Sequence, residues 1–201
     1  MRLVFVAGWM RSGTTLLTEL VGSSPGALAV GELATMWTAL ERDDPCSCGQ
    51  SVRSCPLWSV VAAEVAERHA IGEGRTTSYR DFAAVVAGVL RTKRLPGLRR
   101  LRRTDPGAFP ADVRRVAEVM QTVLQTIAAA SGCDVIVDSS KRPAAMIMFG
   151  LVCGVELTPI HLVRDPRGWR SASRDGGSGP GSRRTWPHRG AACSAARSAG
   201  T

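Results

Sequence analysis

The stretch from Leu3 to Val21 constrains the fold more than any other part of the chain. Leu3-Val4-Phe5-Val6-Ala7 is an unbroken apolar run, Gly8-Trp9-Met10-Arg11-Ser12-Gly13 is a turn bounded by two glycines, and Thr14-Thr15-Leu16-Leu17-Thr18-Glu19-Leu20-Val21 has helical character. A buried strand, a glycine turn and a helix in that order describe a phosphate-binding loop, in which backbone N–H groups and the helix N-terminus face an anion. The glycines have the G-x-x-x-x-G spacing of a Walker A loop, where the next residue is the lysine that reaches the β- and γ-phosphates. Here that residue is Thr14. The loop therefore suits a phosphate-like group while lacking what ATP or GTP hydrolysis requires.

Further apolar runs extend the pattern. Leu28-Ala29-Val30 reads as a short strand ending at Gly31-Glu32, Val135-Ile136-Val137 as a buried strand running into Asp138-Ser139-Ser140-Lys141, and Leu157 to Val163 as another. Helical spacing covers about 32–42, 57–70, 78–91 and 143–152, and the clearest helix runs from Pro110 to Gly132. Arg91 to Arg103 is rich in helix breakers and reads as a basic loop, either solvated or a lid over ligand. Strands separated by helices predict an α/β fold, a P-loop-like parallel sheet flanked by helices and incomplete at the C-terminus. In such sheets ligands sit outside the C-terminal strand ends, and here those ends carry Arg11, Lys141 and Arg164.

The length and the 44% hydrophobic content suit a single core. The formal charge of +9 is concentrated: residues 164–201 hold eight arginines against Asp165 and Asp175. No aromatic interleaving or recognition-helix pattern accompanies it, so nucleic acid is not an expected partner. No apolar run has membrane length, and the first is too short for a signal segment, so a soluble, cytoplasmic chain is expected. After Val163 there is no Leu, Ile, Val, Met or Phe. Residues 1–168 are expected to form the α/β domain and 169–201 an Arg/Gly/Ser/Ala-rich disordered tail.

Arg11-Ser12-Gly13-Thr14-Thr15 after the first strand, and Arg164-Asp165-Pro166-Arg167 after a later one, resemble the two signatures of sulfotransferases that use 3′-phosphoadenosine 5′-phosphosulfate (PAPS). The arginine form of the loop, followed by Gly31-Glu32, is most similar to tyrosylprotein and related bacterial sulfotransferases. The resemblance covers about residues 1–168. It implies a nucleotide-binding transferase that moves a sulfuryl group from PAPS to a hydroxyl or amine of a small-molecule, carbohydrate or peptide acceptor, with no metal expected. Arg11, Ser12, Gly13, Thr14 and Thr15 would hold the 5′-phosphosulfate, and Arg164 and Ser171 the 3′-phosphate. Glu32 would be the base, with Arg11 and Lys141 stabilising the leaving phosphate.

The family expects a serine eight residues after Arg164, where this chain has Ala172 between Ser171 and Ser173. That slip, at the start of the core-poor tail, suggests a reading frame disrupted near Gly168-Trp169 and a truncated chain. Ser139 and Ser140 either donate to phosphate or cap the next helix. Two alternatives stay open: a P-loop kinase acting on ATP, and an inactive nucleotide-binding remnant. Cys46, Cys48 and Cys55 cluster in sequence with His69 as a remote fourth ligand, but their spacing matches neither a zinc ribbon nor a finger. Buried thiols or a labile disulfide are the favoured reading.

Overall fold

The computed structural model describes residues 1–9, 12–104, 108–152 and 155–165. Its elements run β1 (Arg2–Gly8), α1 (Thr14–Gly22), β2 (Ala27–Gly31), α2 (Met36–Arg42), α3 (Pro56–His69), α4 (Tyr79–Val89), α5 (Leu95–Thr104), α6 (Ala111–Ser131), β3 (Val135–Lys141), α7 (Pro143–Val152) and β4 (Glu156–Leu162). Short 3-10 turns at Leu33–Thr35 and Thr92–Arg94 precede α2 and α5.

The four strands form one sheet in the order β2-β3-β1-β4, and every pairing is parallel. The chain leaves β1, skips one place to lay down β2, and later inserts β3 between them; β4 then pairs on the far side of β1. Pro159 suits that position, because a strand interior to a sheet needs the N–H that proline lacks. Ala27 to Gly31 is thus a full strand with all five residues buried, longer than the three-residue apolar run suggests.

Alternation along the strands builds two unequal cores. Leu3, Phe5, Ala7 and Ile136 face a large cluster with α2, α3, α4, α6 and α7, which includes fully buried Trp37, Trp58 and Phe149. Trp37 meets Phe82 edge to face at 4.7 Å. Val4, Val6 and Val137 face the other way, into a small cluster with Leu17 and Val21 of α1. Helix α1 lies close on the sheet because its buried line is Thr14, Thr18 and Gly22, one residue per turn. A Cβ on Gly22 would sit 2.5 Å from Ala29 Cβ, so only glycine permits this approach.

The basic stretch differs from its sequence reading. Residues 95–104 form α5 instead of a loop, with Leu98 buried, while Arg94 forks onto Asp112 of α6 at 2.5 and 3.2 Å. The amphipathic spacing of Leu95, Leu98 and Leu101 outweighs the helix-breaking content that reads as loop. The region expected as one helix over 32–42 is a 3-10 turn followed by the shorter α2. Among the described residues, no helix is long and apolar enough to cross a membrane. The proposed frame break near Gly168-Trp169 and the tail 169–201 lie outside the described residues, as do Arg11 and Ser171.

Candidate functional site at the strand ends

The C-terminal ends of the strands open onto a cleft of about 1060 Å³. Gly8 and Trp9 line it from the end of β1, Glu32 from the end of β2, and Ser140 to Pro143 from the end of β3. Pro159, Ile160 and His161 of β4 complete one wall. Trp9, in that lining, is 69% exposed. A smaller recess shares Arg142 and Pro143 with the cleft and is lined by Arg91 and Lys93 of the basic stretch.

The turn after β1 has the expected local geometry. Ser12 N–H donates to Trp9 C=O at 3.2 Å, and Gly13 caps α1 at φ 91°, a left-handed conformation that glycine adopts without strain. No side chain caps α1, and its first turn carries no acidic residue. A Cβ on Gly8 would lie 2.8 Å from Thr14 Cγ2 and 3.0 Å from Leu162 O, so the first glycine lets the helix start press against the strand ends. Thr14 is only 2% exposed, whereas Thr15 is exposed. Of the described loop residues, Gly8 and Trp9 line the cleft while Ser12, Gly13, Thr14 and Thr15 do not.

The turn that carries Glu32 is held by β3. β3 brackets it on both sides: Ser139 Oγ donates to Gly31 C=O at 3.2 Å, Leu33 N–H donates to Asp138 Oδ1 at 2.9 Å, and Ala34 N–H donates to Ser140 Oγ at 2.9 Å. Ser140 Oγ in turn donates to Asp138 Oδ1 at 2.7 Å. Both serine hydroxyls therefore have partners within this arrangement. They are spent holding the Gly31–Ala34 turn, because a 3-10 turn docked on a strand end leaves N–H groups that need acceptors.

Lys141 Nζ forms an ion pair with Glu32 Oε1 at the cleft wall. Lys141 has φ 61°, uncommon for a residue with a Cβ, and Arg142 N–H donates to Ser140 C=O at 2.6 Å around it. The register of β3 against both β1 and β2 shifts just before this turn. Such irregularities re-aim side chains at strand ends. A left-handed lysine costs on the order of 1–3 kcal/mol, and such strain concentrates at functional sites.

Asp138 is the group that the sequence reading passed over. It is fully buried, and burial pushes its carboxyl from 3.8 up to about 7 against the opposing hydrogen bonds from Ser140 and Leu33. Its Oδ2 has no hydrogen-bond partner. The available signal was a carboxylate continuing the buried run Val135-Ile136-Val137. His161 and Met146 also line the cleft and were not singled out.

Arg164 lies two residues beyond β4 on the same end of the sheet and is exposed; it does not line the cleft. His69 ends α3, fourteen residues after Cys55, and its Nε2 lies 2.8 Å from Thr122 Oγ1. At a helical rise of about 1.5 Å per residue it is roughly 20 Å from Cys55, which removes it as a fourth ligand to the thiols. Burial lowers the proton affinity of its imidazole. The Cys46 thiol is pushed far above its usual range by its hydrogen bond with Cys55 and by burial.

Fold and site together define an α/β protein with an open, all-parallel sheet and a largely apolar cleft that carries the Glu32–Lys141 pair where the glycine turn meets the ends of β2 and β3. Comparison with known protein families, with curated proteins and with solved structures finds no match for this chain.

Proposed function

We propose that the chain is a PAPS-dependent sulfotransferase. The observation that carries the proposal is the pairing of Glu32 with Lys141 on one cleft wall, brought from two strand ends 109 residues apart and set beside the glycine turn. It supports the sequence resemblance by standing beside Gly8 and Trp9, the start of the glycine turn in which the resemblance lies.

In this reading the donor's 5′-phosphosulfate lies over the glycine turn, and Arg11, Ser12, Gly13, Thr14 and Thr15 supply its cation and donors. Arg164, with Ser171, serves the 3′-phosphate. The acceptor hydroxyl attacks sulfur in line with the bridging phosphate oxygen. The new S–O bond forms as the S–O bond to phosphate breaks, and adenosine 3′,5′-bisphosphate departs. Lys141 turns from Glu32 to that oxygen as negative charge develops there. Glu32, relieved of its cation, takes the acceptor's proton. The arrangement of one base and one cation that exchange partners explains why the ion pair belongs at the mouth of a cleft and not in the core.

Calorimetry and a transfer assay test this. The chain is expected to bind adenosine 3′,5′-bisphosphate in preference to ATP and to pass labelled sulfate from PAPS to an acceptor drawn from phenols, sugars and peptides. Glu32→Gln should lower turnover by about 10²–10⁴-fold while leaving bisphosphate affinity within a few-fold. Undiminished turnover in that variant removes Glu32 as the base. A preference for ATP would instead support the kinase reading, and binding of neither nucleotide the remnant.

A further inference from the structure

We propose that Cys46, Cys48 and Cys55 form a three-thiolate site for a thiophilic divalent cation of the zinc type, separate from the strand-end cleft. Their three sulfurs all lie within 4.8 Å of one another. None of the three lines the cleft.

The segment that carries them is built before any ion arrives. Pro45 and Ser51 form an antiparallel bridge, Cys46 N–H donates to Gln50 C=O at 2.8 Å, and Gly49 N–H donates to Cys46 C=O at 3.0 Å. Gly49 has φ 91°, so the chain reverses tightly around Ser47-Cys48-Gly49 and carries Cys46 and Cys48 on one small loop. The chain then returns through Val52 N–H to Asp44 C=O (2.9 Å) and places Cys55 at the N-cap of α3, just ahead of Pro56. Arg53 fastens the return to α2: its side chain donates to Leu40 C=O at 2.7 Å and to Glu41 C=O at 3.0 Å, and its N–H to Asp43 Oδ1 at 2.9 Å.

A zinc–sulfur bond is about 2.3 Å, so tetrahedral ligands stand roughly 3.8 Å apart. The present spacing is thus within roughly 1 Å of a coordinating set, and side-chain rotation on the held backbone can close it. Cys46 and Cys55 are buried while Cys48 is half-buried, so an ion can reach the cluster from the Cys48 side. A disulfide would use two of the sulfurs at about 2.05 Å and leave the third with no role in the cluster. The convergence of three sulfurs favours the ion.

On binding, the thiol protons pass to the buffer and three sulfur–metal bonds form. The probe is the full chain, reduced and chelator-treated, titrated with Zn²⁺ and with Co²⁺. We expect one equivalent bound, proton release on binding, a thiolate-to-cobalt charge-transfer band, and a raised melting temperature. Cys48→Ser should weaken zinc binding by about 100-fold or more, exceeding the 10–100-fold range for loss of a supporting partner. The combined variant Cys133→Ser, Cys153→Ser, Cys193→Ser should keep the band and the stoichiometry. No charge-transfer band in the reduced wild-type chain overturns the site regardless of how any variant folds. A band that survives Cys48→Ser, or a Cys46–Cys55 disulfide persisting in a glutathione buffer that reduces exposed disulfides, overturns it as well.

Discussion

Asp138 shows how a single residue couples the sheet to the candidate site. Its carboxyl accepts from Leu33 N–H and Ser140 Oγ, and those bonds fix the turn that presents Glu32. The folded chain holds the proton on Asp138 up to about pH 7, whereas an exposed carboxyl releases it near 3.8. The folded state therefore binds more protons across that interval, and stability falls as pH rises. The contribution is complete below 3.8 and is lost as pH climbs through about 7. Asp138→Asn, which keeps an acceptor for Leu33, should flatten the decline in melting temperature across this range relative to wild type. An unchanged slope would place the titrating group elsewhere. Sequence reasoning singled out Glu32 and Lys141 through the family resemblance, which marks positions after particular strands. It missed Asp138 because nothing local distinguishes a buried carboxylate from one that ends a strand at the surface.

Helix ends illustrate the same divide among the elements. α3 stops at Ala70 and α6 at Gly132, and both stop residues are left-handed, with φ 53° and 66°. Glycine adopts that conformation without the Cβ clash that alanine meets. Ala70→Gly should stabilise the chain by about 0.5–1 kcal/mol, and Gly132→Ala should destabilise it by about 1 kcal/mol. A Cβ on Gly132 would meet nothing within 4 Å, so the second effect is backbone strain alone. Denaturant midpoints measure both, and equal signs for the two changes would contradict the shared mechanism. Gly132 was readable as a helix stop, and the long helix before it was located well. α5 was not, because its basic residues and Pro96-Gly97 hide a leucine face that acquires meaning only when packed beside α7.

At the scale of the whole molecule, the sheet is covered unequally. α6 buries nine residues over its 21-residue length, while α1 buries Thr14, Thr18 and Gly22 and leaves Leu16 and Leu20 at 72% and 66% exposure. Helices with little buried apolar surface open at lower free energy than the core. Native-state hydrogen exchange should therefore show α1 amides opening well before those of α6 and β3. Equal protection would mean that another surface covers α1 in solution. Apart from α5 and the turn before α2, the order of elements, the parallel class of the sheet and the glycine turn were legible in sequence, because strand and helix periodicity and left-handed glycines are local properties. Strand order, the docking of Glu32 against β3 and its pairing with Lys141 were not. They depend on β3 inserting between β1 and β2, a contact across more than a hundred residues, and only the packed sheet turns that separation into a hydrogen-bonded neighbour.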